Sequence, residues 1–154
     1  MKNVGGVSCL KVREVRDRDL AGLLELYTYL HNNSVPQIDS IILEIWNKIL
    51  SDSSHHIIVG LIDEKIVSSC VLVIVPNLTR NQRPYALIEN VVSHEQYRGR
   101  GYATELLNYA KELALRANCY KIMLSTSSKE ESTLNFYRKA GFNSEDKTAF
   151  VQWL

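Results

Sequence analysis

The strongest chemical signal in the chain is the run Tyr97-Arg98-Gly99-Arg100-Gly101-Tyr102-Ala103-Thr104. Two closely spaced glycines permit a tight turn and turn consecutive backbone N–H groups outward. A helical apolar period begins just after Gly101. The first amides of such a helix lack internal partners, and its dipole presents positive charge to the turn. Together these features form a seat for a phosphate or pyrophosphate. Ala103 is small enough to let the helix approach a ligand, and Arg98 and Arg100 could add charge at the rim. The common nucleotide loops do not fit. A dinucleotide fingerprint needs a third glycine where this chain has Thr104, and a P-loop needs a Gly-Lys-Ser/Thr ending. For Gly-x-Gly alone, a structural bend with solvated arginines is the favoured reading.

Other reactive residues are scattered. Glu89 interrupts an otherwise apolar run, where an unpaired charge is costly. It reads either as a functional carboxylate or as the partner of Arg80, Arg83 or another cation. His55 and His56 are adjacent while His31 and His94 stand apart, so no metal-ligand spacing results. Cys9, Cys70 and Cys119 are odd in number and contain no Cys-x-x-Cys pair. That argues against a zinc site or disulfide framework and suits a reducing cytosol.

The elements that must position these residues follow from hydrophobic period. Residues 8–15 read as a first strand. Asp17 is a candidate N-cap for a helix over 18–30, with Leu20, Leu23, Leu24, Tyr27 and Leu30 on its apolar face. A second helix is expected over 40–50, with Asp39 at its start and Ile41, Ile42, Ile45 and Ile49 on one side. Residues 57–62 and 66–75 read as a hairpin around Asp63-Glu64-Lys65, and 85–92 as a central strand buried on both faces. The clearest helix spans 101–117, with a stripe from Ala103 and Leu106 to Ala117. A strand over 120–124, a helix over 130–140 stopped by Gly141, a strand segment from Phe142 and a last strand over 148–154 complete the order. This is a mixed α/β (α+β) sheet, and residues 1–154 read as one domain.

The segment Arg98-Gly99-Arg100-Gly101-Tyr102-Ala103, between strand and helix, resembles the pyrophosphate-binding signature Arg-x-x-Gly-x-Ala of the GNAT superfamily of acetyl-coenzyme-A-dependent N-acetyltransferases. Asn135-Phe136-Tyr137-Arg138-Lys139-Ala140-Gly141-Phe142 is similar to the family's Phe-Tyr-x-x-x-Gly-Phe segment. Ile88-Glu89-Asn90-Val91-Val92-Ser93-His94 is similar to the strand that enters the turn. The element order matches as well, so the resemblance covers nearly the whole chain. It implies a GNAT fold: a mostly antiparallel central sheet splayed between the fourth and fifth strands, with helices on both faces.

The resemblance also implies roles. Backbone N–H groups of Arg98, Gly99, Arg100, Gly101, Tyr102 and Ala103 would bind the pyrophosphate of acetyl-CoA, and Thr104 could add a hydroxyl. The N–H of Val91 or Val92 would polarise the thioester carbonyl. Tyr137 would protonate the departing thiolate; packing within its helix is the alternative reading. A primary amine of pKa about 10.4 is only about one part in a thousand neutral near pH 7.4, worth about 4 kcal/mol, so a base or water chain is needed. Glu89 is the candidate base, with His94 behind it. Within the superfamily, Ile88-Glu89-Asn90-Val91-Val92 and Asn118-Cys119-Tyr120-Lys121-Ile122 look most like glucosamine-6-phosphate N-acetyltransferases. Those enzymes carry an acidic residue directly after the second segment's strand, where this chain has Ser125, and the amino-sugar phosphate is therefore not assigned.

Composition agrees with a small-molecule enzyme. The chain has 154 residues, 45% of them hydrophobic, and a formal net charge of +1. It has no general basic field for nucleic acid, no apolar run long enough to span a bilayer, and no apolar leader in its first residues. The expectation is a cytoplasmic, metal-free enzyme that moves acetyl from acetyl-CoA to a small amine by direct attack in a ternary complex. No cysteine occupies a position suited to a covalent acetyl-enzyme. A coenzyme-A-binding module without transfer is the alternative from another class. Exposed apolar strand edges could pair two subunits as a homodimer.

Overall fold

A computed structural model describes residues 9–31 and 33–154. Its elements run β1 (Lys11–Glu14), α1 (Leu20–His31), α2 (Ser40–Ser51), β2 (His55–Ile62), β3 (Lys65–Val75), β4 (Tyr85–Ser93), α3 (Tyr102–Arg116), β5 (Ile122–Leu124) and α4 (Glu131–Lys139). The five strands form one sheet in sequence order. The pairs β1–β2, β2–β3 and β3–β4 are antiparallel, and β4–β5 is parallel. The β2–β3 hairpin turns through Asp63 and Glu64, both at positive φ (47° and 62°), as a two-residue hairpin turn of primed type requires.

Period-2 alternation divides the sheet's side chains between two cores. Val59, Val71 and Val92 pack with α1 and α2, where Leu23, Leu26 and Trp46 are buried. Ile58, Cys70, Leu72 and Ile88 pack with α3, where Leu106, Leu107, Ala110 and Ala114 are buried, and with Phe136 and Tyr137 of α4. Helices therefore cover both faces, and the expected stripe on α3 is the one that is buried.

Several local expectations shift. The expected first strand begins at Ser8, outside the described residues, and the observed strand is Lys11–Glu14. Asp17 does not cap α1. It opens a 3-10 turn over Asp17–Asp19 that leads into the helix. The carboxylate that organises this corner is Asp19: it accepts from the Arg16 N–H at 2.6 Å and pairs with both terminal nitrogens of Arg13. Asp39 does cap α2, accepting from Ile42 N–H at 2.9 Å. The stripe on α2 is rotated, however. Trp46 takes the buried slot with Ile42 and Ile49 beside it, and Ile41 and Ile45 face outward at 64% and 53% exposure.

The C-terminal part differs most. Among the described residues no strand forms after α4: neither the segment from Phe142 nor residues 148–154 pair with the sheet. Phe142 instead packs in the α3–α4 core. Phe150 and Trp153 are over nine-tenths exposed.

Candidate active site

The feature that organises the site is a change of phase along β4. Ala86 and Ile88 face the α3–α4 core, so regular alternation would send Val92 there too. Val92 is instead in the α1–α2 core, while Val91 packs with the other. The register explains this: Val71 faces Glu89 and Ser69 faces Val92, so Asn90 and Val91 together oppose Cys70. That is a β-bulge, with Asn90 in the left-handed region at φ 51°. Asparagine tolerates this conformation better than any other non-glycine residue here. Sequence reasoning passed over Asn90. Its one signal is a polar Glu-Asn pair breaking the apolar alternation.

The bulge coincides with the end of the β4–β5 pairing. Parallel partners run Ala86–Ile122, Leu87–Met123 and Ile88–Leu124, and then stop. From Glu89 onward β4 has no strand opposite on its β5 side among the described residues, which is the splay between the fourth and fifth strands. Ser68 and Ser69, both buried, hold the structure around it. Ser68 Oγ donates to the Val92 carbonyl at 3.0 Å, and Ser69 Oγ donates to the Ile58 carbonyl at 3.0 Å.

Glu89 is exposed, not buried as the central-strand reading expected, because β5 ends beside Ile88. It enters no ion pair among the described residues. The expected partners are engaged elsewhere. Arg83 donates to the carbonyls of Asn118 and Cys119 at 3.1 and 3.0 Å, capping the end of α3, and Arg80 lies over the Tyr120 ring at 5.8 Å. Glu89 opposes Val71, a member of the α1–α2 core, so its side chain stands on that face of the sheet.

Tyr137 stands on the other face, in the α3–α4 core with Cys70. A Schellman ending of α4 fixes it. Gly141, at φ 93°, donates to Arg138 O at 2.9 Å, and Phe142 N–H donates to Tyr137 O at 3.1 Å. This folds Phe142 back against the Tyr137 ring, with centroids 6.2 Å apart, and Phe136 flanks the other side at 4.9 Å. Burial, and secondarily the nearby Cys70 thiol, raises the Tyr137 pKa above that of an ordinary phenol. The group therefore stays protonated throughout the neutral range. The Cys70 thiol is itself pushed up to about 12 by burial, which leaves it without nucleophilic thiolate.

The glycine turn has the geometry an anion seat needs. Gly99 and Gly101 have φ 74° and 81°, and Gly101 is the N-cap of α3 without a side-chain cap bond. None of the loop or cap hydrogen bonds takes its donor from residues 99–104, and the Glu105 amide is the first to bond back, to Gly101 O at 3.1 Å. A Cβ added to either glycine would meet nothing within 4 Å, so the requirement is conformational and the space beside the turn is open. These residues fit a pyrophosphate. The arginines contribute less than their charge suggests: Arg98 Nε donates to Ser93 O at 3.2 Å, and Arg100 lies over the Tyr97 ring at 5.3 Å.

Both ring nitrogens of His94 have neighbours: Nδ1 accepts from Gln96 N–H at 3.3 Å, and Nε2 lies 3.1 Å from the Tyr29 hydroxyl and 3.4 Å from Lys65 Nζ. Desolvation, then Lys65 nearby, lowers its pKa and keeps it neutral. His94 closes one end of a cavity of about 480 Å³ between α1 and the β2–β3 hairpin, whose lining includes neither Glu89 nor Tyr137. No helix among the described residues is long and apolar enough to cross a membrane, and no group of three or more His, Cys, Asp or Glu among them could hold a metal ion.

Residues 12–142 match the Acetyltransferase (GNAT) family. The chain belongs to the GNAT acetyltransferase family. It is an acyltransferase by membership, and acetyltransferases of this family use acetyl-CoA. Glucosamine 6-phosphate N-acetyltransferase of Trypanosoma brucei brucei is 30% identical over 146 residues, covering 90% of this chain and 92% of that protein. A solved structure from Agrobacterium tumefaciens, described as a candidate acetyltransferase, superposes with TM-score 0.84 at 38% identity, covering 93% of this chain and 99% of that one. Glucosamine-6-phosphate N-acetyltransferase of Arabidopsis thaliana shares the fold, with TM-score 0.82 at 21% identity over 94% and 99% of the two chains. The family's fold and the sequence-level resemblance thus agree.

Proposed function

We propose that this GNAT chain transfers the acetyl group of acetyl-CoA to a primary amine of a small-molecule acceptor by direct attack in a ternary complex. The observation that carries the reading is the bulge at Asn90. It sits where β4 and β5 part, with Glu89 on one face of the sheet and Tyr137 on the other.

Acetyl-CoA, when bound, supplies an activated thioester with a fair leaving group. The amides of residues 99–103 hold its pyrophosphate, with Thr104 in the first turn of the helix; the Arg98 amide, expected to join them, is taken instead by Glu95 O at 3.3 Å. The N–H of Val91 or Val92, at the bulge, polarises the carbonyl and stabilises the negative charge that develops on its oxygen. Glu89, exposed and in no ion pair among the described residues, takes the proton of the incoming amine directly or through water. Tyr137 gives its proton to the departing sulfur from the opposite side. Burial raises the Cys70 and Cys119 thiols, which disfavours a thiolate nucleophile and so a covalent acetyl-enzyme.

The 30%-identical relative named for glucosamine 6-phosphate puts that amino sugar first among acceptors to try. Ser125, which stands where those enzymes carry an acidic residue, argues for a panel that also holds polyamines, aminoglycosides, amino acids and other amino sugars. The test is thiol release from acetyl-CoA across that panel. Acceptor-dependent release with at least one amine is the expected result. Coenzyme A binding without release for any of them would leave the chain a binding module.

A further inference from the structure

We propose that the cavity between α1 and the β2–β3 hairpin binds a small zwitterion with an apolar side chain, an amino acid of the leucine type, at a site separate from the reaction centre. The cavity measures about 480 Å³, within the range of about 300–1,000 Å³ usual for small-molecule sites. On one side Gly22, Glu25 and Tyr29 of α1 continue a stripe begun by Arg18, spaced three and four residues apart. Glu64, Lys65 and Ile66 of the hairpin complete the lining, with His94 at one end.

Most charges of the lining are neutralised within the chain. Arg18 stands 3.7 Å from Glu64, and Asp19 is bound by Arg13. Glu25 and Lys65 are left over, since neither enters an ion pair among the described residues. They line one cavity with opposite charges and do not meet. A ligand carrying both an ammonium and a carboxylate can answer both, each end finding its opposite. The lining disfavours simpler ions: a polyanion would meet Glu25 and Glu64, and a polyamine would meet Lys65 and Arg18. Lys65 is also held in place. Its Nζ lies 3.4 Å from His94 Nε2 and 5.8 Å from the centroid of the Tyr97 ring, and an ammonium with three donors has protons left for a carboxylate.

Gly22 points the same way. A glycine within a helix destabilises it relative to alanine. Here the backbone does not require one, because Gly22 lies within regular α1 and has no positive φ. Nor does a close approach, because an added Cβ would meet Ile66 Cδ1 at 3.5 Å, an ordinary contact. What the missing side chain does is keep the cavity open beside Ile66. The apolar share of the lining comes from Leu26 and Ile66, both buried, and from Val35, which is 51% exposed and would be covered by a ligand's alkyl group.

Calorimetric titration and thermal melts of the full chain with L-leucine, without acetyl-CoA, should show binding at one site. Leucine stripped of one charge, as 4-methylpentanoate or 3-methylbutylamine, should bind about tenfold more weakly, and Glu25→Gln and Lys65→Met should each weaken leucine binding about tenfold. Gly22→Leu, which fills the cavity, should abolish it. Glu89→Gln should bind leucine as the wild type does. Absence of both heat and stabilisation with leucine, valine and phenylalanine overturns the proposal, as does equal binding of the two singly charged analogues. Binding lost in Glu89→Gln and kept in Glu25→Gln would place the amino acid at the reaction centre and overturn it too. Should Gly22→Leu fail to fold, the variants at Glu25 and Lys65, both exposed side chains, decide the matter.

Discussion

Ile88 and Val92 lie on the same strand, yet Ile88 is buried against α3 and Val92 against α1 and α2. In a regular strand two residues four apart share a face. Asn90, at φ 51°, supplies the extra residue that sends them to opposite cores. The same stretch is where β4 parts from β5, whose pairing ends at Ile88, so the change of core and the candidate site fall together.

Asn90 is accordingly the residue whose replacement should be most informative. Asn90→Gly should keep both fold and activity, because glycine enters the left-handed region freely. Asn90→Val should cost about 1–2 kcal/mol in strain and lower kcat/KM for acetyl-CoA. Denaturant melts and thiol-release kinetics on the pair of variants check this. Equal activity in both would remove the bulge from the account.

At the glycine turn, Gly99→Ala and Gly101→Ala meet no steric obstacle but must hold alanine at φ 74° and 81°. Each should lower stability by about 1–2 kcal/mol and raise the KM for acetyl-CoA more than that for the amine. A KM unchanged for acetyl-CoA would show that the turn does not seat it.

For Tyr137, the raised pKa fixes the sign of the pH effect. An acid whose pKa lies above the ordinary phenol value is protonated at every pH below it, so no loss of kcat from this group should begin before about pH 10. Tyr137→Phe should lower kcat by about 10²-fold at neutral pH and leave no phenol-dependent limb at high pH. Steady-state rates between neutral pH and pH 11 test both statements.

Glu89 is exposed, so Glu89→Gln should change stability by no more than about 0.5 kcal/mol. If it takes the amine proton, kcat/KM for the acceptor falls while the KM for acetyl-CoA holds. An unchanged pH profile in the variant would assign that proton to water.

Asp19 carries the clearest acid-sensitive contribution to stability. Hydrogen bonding from Arg13, with help from the Arg16 amide and against the penalty of burial, holds its pKa below the usual carboxylate value. Stability from a depressed carboxyl is present above the unfolded pKa of about 3.9 and is lost as pH falls through the folded value. Asp19→Asn should therefore cost about 3–5 kcal/mol at neutral pH and flatten the loss of stability below about pH 4. Urea melts across that range measure it.

Much of this arrangement is legible in the sequence. The glycine turn could be read because a positive-φ requirement and a helical period leave marks at fixed positions, and Gly141 marks the end of α4 in the same way. The bulge could not. A single asparagine in a strand does not announce a register shift, and the shift depends on what β3 places opposite. Glu89 was expected in a buried strand because apolar neighbours suggest cover on both sides, whereas its exposure depends on β5 being only three residues long. On α2, Ile41 and Ile45 satisfied the helical period, but the volume of Trp46 decided which side faces the core. A last strand is expected over 148–154 from its β-branched and aromatic pattern, but pattern alone supplies no neighbour, and among the described residues that segment pairs with no strand.

The central claim is that the turn of residues 98–104 and the splay beside Asn90 together hold acetyl-CoA. Thermal melts with acetyl-CoA, ATP and NAD, each in turn, test it most directly. Acetyl-CoA at one hundred times its Kd should add about 2.7 kcal/mol of stability, with no comparable shift from the two nucleotides. A melt unmoved by acetyl-CoA, or moved equally by ATP, would contradict it.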